Sequence, residues 1–145
     1  MHDNSPMKIL VVDDEEALHF IVAVWLAKAG GFDLSFASNG DEALRAHAER
    51  GPFDVVLTDY VHPGPNGLEL AKRLRQKHPQ QRMAMFTAGM PDSAVRSCGR
   101  LKIPVLWKPC DANALPRLLE ALIANGKKKV AKKTVRRREA KKRNK

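Results

Sequence analysis

Between residues 7 and 125, short runs of apolar residues alternate with longer segments in which apolar residues recur at helical spacing. The short runs have the length of buried strands, and the longer segments have the periodicity of amphipathic helices. We predict strands at residues 8–12, 32–37, 53–58, 82–87 and 103–107, and helices at residues 15–29, 41–50, 67–77, 92–101 and 111–124. Apolar strands that alternate with helices indicate an α/β domain of five βα units, with a parallel sheet covered on both faces.

Polar residues and glycines predict where the helices begin and end. Short polar side chains at a helix start accept hydrogen bonds from its free N–H groups. The expected caps are Asn39 or Asp41 for the second helix, Asn66 for the third and Asp111 for the fifth. Two consecutive glycines at 30–31 are expected to end the first helix. The segment after Thr87 contains Pro91, Ser93, Ser97 and Gly99, which are poor helix formers, so we expect the fourth helix to be short and relatively mobile.

Each strand but the second is followed by, or ends on, a polar residue suited to phosphate chemistry. Asp13 and Asp14 follow the first strand, Asp59 the third and Lys108 the fifth, while Thr87 ends the fourth. The carboxyl ends of parallel strands meet at one edge of a sheet, where ligands bind. Clustered carboxylates repel one another unless a cation lies among them, and Mg²⁺ prefers oxygen ligands. Lys108 offers a charge, and Thr87 a hydrogen bond, to a phosphoryl group.

Four motifs in this order carry a family resemblance. VVDDEE (11–16), VVLTDYVHPGPNGLEL (55–70), FTAG (86–89) and LWKP (106–109) resemble the receiver (CheY-like) domain of two-component response regulators, over essentially residues 7–125. The resemblance implies a doubly wound, flavodoxin-like (βα)5 fold with strand order 2-1-3-4-5. It also implies a signalling module and not an enzyme, which passes its state on by protein contact or by onward phosphorelay.

The resemblance further implies roles for individual residues. Asp59 is expected to accept a phosphoryl group from a phosphohistidine of a sensor kinase or a phosphotransfer protein. Asp14, Asp59 and the main-chain carbonyl of Val61 are expected to bind Mg²⁺, with Asp13 assisting through water. The phosphoryl oxygens are expected to contact Thr87, Lys108 and the main-chain N–H groups of Tyr60 and Ala88. The Lys108–Pro109 peptide bond is expected to be cis, as in the family.

The sequence departs from the family near the predicted site. Val105 stands where many receivers carry Tyr or Phe, so the aromatic part of the usual Thr–aromatic switch is missing from that position. Trp107 is expected to pack against a helix. Val61 is apolar where many relatives carry a polar side chain that helps to position the hydrolytic water, which predicts slow self-dephosphorylation. His62 is expected to be an ordinary loop residue.

The first helix is unusually apolar. Its core side is predicted to consist of Leu18, Ile21, Val22, Trp25 and Leu26. Phe20, Val24 and Ala27 recur on a flank at helical spacing. Two interpretations remain open: neighbouring residues partly cover this flank, or it docks a kinase, a phosphotransfer helix bundle or a second receiver.

Charge divides the chain into two parts. Residues 127–145 hold 12 Lys/Arg and one Glu, whereas residues 1–126 hold 14 basic and 15 acidic residues, within a net charge of +10. We predict an N-terminal extension at 1–6, a receiver domain at 7–125 and a disordered Lys/Arg-rich tail at 126–145. A solubilising role, sequence-independent binding to nucleic acid and attraction to anionic membranes remain open for the tail.

Three function classes follow, led by a single-domain phosphoacceptor signalling protein. The alternative is a phosphorylation-controlled, nucleic-acid-binding regulator that acts through the basic tail. A phosphohydrolase is disfavoured, because Val61 stands where such enzymes usually carry a second acid/base carboxylate. The apolar run at 20–27 is too short to span a membrane and no signal sequence is seen, so we expect a cytoplasmic protein with reduced Cys98 and Cys110.

Overall fold

The computed structural model describes residues 5–126, in which five parallel strands form one sheet with helices on both faces. The elements are β1 (Met7–Val12), α1 (Glu16–Ala29), β2 (Phe32–Ala37), α2 (Gly40–Arg50), β3 (Val55–Thr58), α3 (Gly67–Lys77), β4 (Met83–Thr87), α4 (Asp92–Arg100), β5 (Val105–Trp107) and α5 (114–126). The strand order is β2-β1-β3-β4-β5. The predicted α/β class and the order 2-1-3-4-5 are therefore confirmed.

Alternation of side chains along the strands divides the core into two layers. Leu10 and Val12 of β1 lie in one layer, which α2, α3 and α4 cover. Ile9 and Val11 of the same strand lie in the other layer, which α1 and α5 cover. Because successive side chains of a strand point to opposite faces, one continuous apolar segment supplies both layers.

Side chains cap two helices as the sequence predicts. The Asn39 side chain accepts a hydrogen bond from the Glu42 N–H at 2.8 Å, which decides between Asn39 and Asp41. Asn66 accepts from the Glu69 N–H at 2.9 Å. The prediction for Asp111 is wrong. The fifth helix begins at residue 114, and the main-chain carbonyl of Asp111, not its side chain, accepts from the N–H of Ala114.

The end of α1 and the length of α4 also agree with the prediction. Gly30 follows α1 with φ of +80°, a conformation that side-chain-bearing residues rarely adopt. Helix α4 has nine residues, which confirms that it is short. Its relative mobility stays a prediction.

The two sides of α1 differ from the prediction at one position. Val22 and Leu26 are fully buried, but Ile21, which the helical spacing assigns to the core, is 41% exposed. The helix is apolar on most of its surface, so periodicity alone does not define which side faces the sheet. On the flank, Phe20 is 72% exposed and Val24 49% exposed. Neighbouring residues therefore leave most of Phe20 uncovered.

Several predictions concern features at or beyond the ends of the described chain. The N-terminal extension is described only at residues 5 and 6, and the basic tail, apart from Gly126, lies outside the described residues.

Among residues 5–126, no helix is both long and apolar enough to cross a membrane. Cys98 and Cys110 are free, and burial raises the pKa of both thiols, aided at Cys110 by the charge of Asp111.

Candidate functional site

Parallel pairing of β1 and β3 brings two acidic residues of the candidate site, Asp13 and Asp59, side by side. Val12 of β1 pairs with Thr58 of β3, so the residues that follow them, Asp13 and Asp59, leave neighbouring strands side by side. The N–H of Asp59 donates to the Val12 carbonyl at 2.9 Å. The sheet ladder thus extends to the backbone of Asp59 and holds it in place.

Strands β4 and β5 bring the remaining two groups to the same edge. Thr87, the last residue of β4, pairs with Trp107, the last residue of β5. The N–H of Lys108 then donates to the Thr87 carbonyl at 2.8 Å. The peptide bond between Lys108 and Pro109 is cis, as the resemblance implies.

The ammonium group of Lys108 bridges the two carboxylates. Its Nζ lies 2.8 Å from Asp13 Oδ2 and 3.0 Å from Asp59 Oδ2. Burial lowers the pKa of Lys108, but the hydrogen bonds and charges of Asp13 and Asp59 outweigh this effect, so the pKa is raised. Lys108 therefore stays charged and offsets the repulsion between two neighbouring carboxylates.

Asp59 is the most heavily contacted carboxylate of the site. Its Oδ1 accepts from the Thr87 hydroxyl at 2.7 Å and from the Val61 N–H at 3.2 Å. Burial raises the pKa of Asp59, but the bonds from Thr87 and Lys108, the Lys108 charge and the Val61 N–H together lower it below the usual value. Asp59 is thus ionised at neutral pH and partly exposed, as a nucleophilic carboxylate requires.

The two acidic residues after β1 differ in their surroundings. Asp13 is 1% exposed, and its Oδ1 accepts from the Glu15 N–H at 2.9 Å. Asp14 is exposed, and its carboxylate makes no ion pair with any other residue of the 5–126 segment. The structure therefore brings two carboxylates, Asp13 and Asp59, onto one cation, whereas the third expected carboxylate faces solvent beside them.

The donor chemistry fits a hard divalent cation. The groups on this edge are carboxylate and main-chain oxygens, which Mg²⁺ prefers, and Asp14 keeps a carboxylate free of protein partners in the described structure. Among residues 5–126, no three Asp, Glu, His or Cys side chains form a complete metal cage. A cation that retains several water ligands suits such a set better than one that needs a full protein shell.

His62 has a structural role that the sequence did not reveal. It is buried, and its Nε2 lies 3.0 Å from the Thr58 hydroxyl, which itself donates to the main-chain carbonyl of Asp59 at 2.8 Å. Since the single hydroxyl proton goes to that carbonyl, Nε2 donates to the Thr58 oxygen. The prediction of an ordinary loop residue is therefore wrong: His62 ties the loop after Asp59 to the end of β3.

The start of α3 packs directly against the loop that follows Asp59, residues 60–66. The N–H of Gly67 donates to the Tyr60 carbonyl at 2.9 Å. A Cβ at Gly67 would lie 2.6 Å from the Asp59 carbonyl and 2.9 Å from Met85 Sδ. Only a residue without a side chain fits this close approach, so Gly67 sets how near α3 comes to Asp59.

Val105, one of the residues that depart from the family pattern, lies on β5 together with Trp107. Val105 is partly buried and packs against the layer that α2, α3 and α4 cover. Trp107 is 44% exposed, so it is only partly covered, and its packing against a helix stays a prediction. Since β5 is a three-residue strand at the edge of the sheet, its last side chain has a neighbouring strand on one side only.

Comparisons with known proteins agree on the identity of the domain. The family model described as "Response regulator receiver domain" matches residues 9–120. Response regulator protein PilR of Pseudomonas aeruginosa is 36% identical over 116 residues, covering 79% of this chain and 26% of that protein. The DNA-binding transcriptional regulator NtrC of Salmonella typhimurium is 35% identical over 118 residues, covering 81% of this chain and 25% of that protein. The chain thus spans about a quarter of the length of these two relatives.

A solved structure supports the fold independently. The crystal structure of a response regulator receiver domain protein (CheY-like) from Methanospirillum hungatei matches with a TM-score of 0.78 at 22% identity. The match covers 86% of this chain and 99% of that one. At this identity the likeness concerns the fold alone.

Proposed function

The chain belongs to the response regulator receiver domain family, and we propose that Asp59 is its phosphoacceptor. Membership of this family of signalling domains implies phosphorylation and Mg²⁺ binding. One observation carries the proposal. The Asp59 carboxylate lies at the carboxyl edge of the sheet between the Lys108 ammonium at 3.0 Å and the Thr87 hydroxyl at 2.7 Å. Both groups are suited to bind the oxygens of an incoming phosphoryl group.

The proposed reaction is the transfer of a phosphoryl group from a phosphohistidine of a sensor kinase or phosphotransfer protein. A carboxylate oxygen of Asp59 forms a bond to phosphorus, and the nitrogen–phosphorus bond of the donor breaks with its electron pair returning to the imidazole. Lys108 neutralises charge on the phosphoryl oxygens, while the Thr87 hydroxyl donates a hydrogen bond to one of them. Positioning and charge neutralisation supply most of the catalysis in this type of reaction.

Within the same proposal, the Mg²⁺ ligands are Asp14, Asp59 and the main-chain carbonyl of Val61, with Asp13 assisting through water. When bound, the metal would offset the negative charge of the carboxylates and of the phosphoryl oxygens. Asp13 has a second task in the protein itself, since it holds the Lys108 ammonium at 2.8 Å.

The acceptor assignment is tested with a small phosphodonor. Incubation with acetyl phosphate or phosphoramidate and Mg²⁺ is expected to add one phosphoryl group to the wild-type chain and none to Asp59→Asn, as measured by intact mass. Asp92→Asn is the matched control, because Asp92 is exposed at the start of α4, away from the site. Uptake by Asp59→Asn, or uptake unchanged after removal of Mg²⁺ by a chelator, would contradict the assignment.

We further propose that the exposed flank of α1 docks the histidine-bearing partner. Phe20 and Val24 are exposed, and α1 begins three residues after Asp13, so the flank starts at the edge that carries Asp59. A helical phosphotransfer surface that packs on this flank would place its histidine above that edge. The partner and the receiver are proposed to meet in the cytoplasm, and the signal then passes by contact or by onward phosphorelay.

Charged substitutions test this docking site. Phe20→Asp with Val24→Asp is expected to slow phosphoryl transfer from a partner protein at least tenfold while uptake from acetyl phosphate stays unchanged. Val95→Asp on α4 is the matched control, since Val95 is also an exposed apolar residue. Equal transfer rates for the two variants would reject α1 as the docking surface. Self-association of the chain that the α1 variant abolishes would assign the flank to a second receiver instead.

A second proposed role is nucleic-acid binding through the basic tail, under control of Asp59. It rests on the 12 Lys/Arg residues of segment 127–145. Each phosphate that the segment neutralises should contribute a slope of roughly −0.9 to log K against log salt. Electrophoretic mobility shifts with phosphorylated and unphosphorylated chain, across a range of salt, test this role. Affinity that does not depend on salt would reject it.

A further inference from the structure

A buried histidine lies directly after the proposed Mg²⁺-binding carbonyl. That carbonyl belongs to Val61, and His62 is the next residue. The His62 side chain is buried although it belongs to the loop that joins β3 to α3. Burial of a polar ring costs free energy unless the ring is hydrogen-bonded, so the bonding partners of His62 indicate what it holds in place.

The His62 ring is bonded to the last residue of β3. Its Nε2 donates to the Thr58 hydroxyl oxygen at 3.0 Å, and the Thr58 hydroxyl donates to the main-chain carbonyl of Asp59 at 2.8 Å. Thr58 is fully buried, so bulk water does not compete for its hydroxyl. Two successive hydrogen bonds therefore connect the His62 ring to the backbone of the proposed phosphoacceptor.

The bond to the Asp59 carbonyl also sets the direction of a second main-chain group. The Asp59 carbonyl and the Tyr60 N–H belong to one trans peptide unit, in which the two groups point in opposite directions. Thr58 thus holds the carbonyl and, through the same planar unit, directs the Tyr60 N–H away from it. This N–H is one of the groups expected to contact the phosphoryl oxygens.

The loop that follows Asp59 is anchored at two further carbonyls. The Gly67 N–H donates to the Tyr60 carbonyl at 2.9 Å, and the Gly40 N–H donates to the Pro63 carbonyl at 3.3 Å. These bonds attach the loop to the starts of α3 and α2. The Val61 carbonyl lies between the two anchored carbonyls in the chain, and His62 is the residue that shares its peptide unit.

We propose that His62 is a positioning residue of the acceptor site and acts through Thr58. Its ring closes segment 58–62 with a side-chain bond, which fixes the Val61 carbonyl for Mg²⁺ and the Tyr60 N–H for the phosphoryl group. The inference rests on the proposed phosphoacceptor role of Asp59. The ring itself is not a metal ligand in this proposal, because it is buried and its Nε2 already donates to Thr58.

A second buried histidine provides a matched comparison. The His47 ring is buried in α2, and its Nε2 lies 2.7 Å from Oε1 of Gln81, which precedes β4. This bond is at the amino edge of the sheet, opposite to the edge that carries Asp59. His47→Met therefore removes a buried histidine hydrogen bond, as His62→Met does, but away from the site.

The test measures Mg²⁺ binding to the full-length chain by isothermal titration calorimetry, without a phosphodonor. His62→Met is expected to raise the Mg²⁺ dissociation constant about tenfold, as is typical when a residue that orients a ligand is lost. Thr58→Val should have the same effect, because it removes the hydroxyl but keeps the branched shape. Thr58→Ser keeps the hydroxyl and should stay within about twofold of the wild type.

The double variant separates one connection from two independent contacts. His62→Met combined with Thr58→Val should bind Mg²⁺ no more weakly than either single variant, since each substitution breaks the same connection. His47→Met should change the dissociation constant less than about twofold, because distant and independent sites do not couple.

Two further measurements report on the backbone and on the reaction. Amide hydrogen exchange of segment 59–62, followed by mass spectrometry, should be about threefold faster or more in His62→Met than in His47→Met, since local opening is easier without the bond to Thr58. Uptake from acetyl phosphate should slow about tenfold in His62→Met when Mg²⁺ is kept below the wild-type dissociation constant.

Four outcomes would overturn the proposal: no Mg²⁺ binding by the wild type, wild-type affinity in a folded His62→Met or Thr58→Val, an equal loss of affinity in His47→Met, or losses that add in the double variant. If thermal denaturation shows that His62→Met does not fold, the pair Thr58→Val and Thr58→Ser provides the test. Absent uptake by a wild type that binds Mg²⁺ would contradict the acceptor assignment alone, because calorimetry and hydrogen exchange use no phosphodonor.

Discussion

Replacement of Lys108 by methionine should destabilise the domain, because it leaves two neighbouring carboxylates without a cation. The ammonium group lies 2.8 Å from Asp13 and 3.0 Å from Asp59, and the side chains of Lys108, Asp13 and Asp59 are 18%, 1% and 14% exposed. Breaking a buried ion pair costs about 3 to 5 kcal/mol. Because Asp59 and Lys108 keep some solvent contact, we expect a loss of about 2 to 3 kcal/mol in the free energy of unfolding at neutral pH.

The loss should depend on pH in a defined direction. Asp59 has a lowered pKa in the folded state, so its stabilising contribution is present above its unfolded pKa of about 3.9 and disappears as the pH falls through the folded value. Lys108 has a raised pKa, so its contribution is present below its unfolded pKa of about 10.4 and disappears as the pH rises through the folded value. The difference between wild type and Lys108→Met should therefore be largest between about pH 5 and pH 9 and should shrink as the pH falls below about 3.9, through the folded pKa of Asp59.

Urea denaturation at neutral and acidic pH measures this difference. Lys72→Met is the matched control: Lys72 is exposed on α3 and has no ion-pair partner among residues 5–126, so a change within about 0.5 kcal/mol is expected. Asp59→Asn combined with Lys108→Met should recover part of the loss, because one of the two carboxylates is then neutral. A loss below about 0.5 kcal/mol at pH 7, or a loss that does not change with pH, would refute the reasoning.

Three further predictions concern the loop that follows Asp59 and the start of α3. Asn66→Ala should lower the free energy of unfolding by about 1 kcal/mol, since the Glu69 N–H loses its acceptor, and thermal denaturation will measure it. Gly67→Ala should cost about 1 to 3 kcal/mol and slow phosphoryl uptake, because its Cβ would meet the Asp59 carbonyl; uptake at the wild-type rate would contradict this. Val61→Asn should shorten the lifetime of the phosphorylated chain, as followed by loss of phosphoryl mass, because the exposed Val61 side chain offers a hydrolytic water no hydrogen bond.

The sequence alone predicted the strands and helices of the fold and the edge of the sheet at which the site residues lie. Apolar runs of strand length and helical spacing are local properties, so the order of strands and helices could be read directly. Once the strands are parallel, residues that follow them meet at one edge, and Asp13, Asp59, Thr87 and Lys108 are brought together there as predicted. The strand order came from the family resemblance and not from periodicity.

Tertiary structure decided features that depend on contacts between distant segments. Helix α1 is apolar on most of its surface, so only its packing on the sheet reveals that Ile21 is exposed. His62 is buried because the loop after Asp59 folds back on Thr58. No local pattern in the sequence predicts that contact. Lys8, Lys77 and Arg82 come from three separate segments, and only the folded chain shows that they line one pocket at the amino edge of the sheet and that none of them has a carboxylate of residues 5–126 within salt-bridge distance. Spacing along the chain specifies local conformation, whereas burial and charge pairing depend on which remote segments meet.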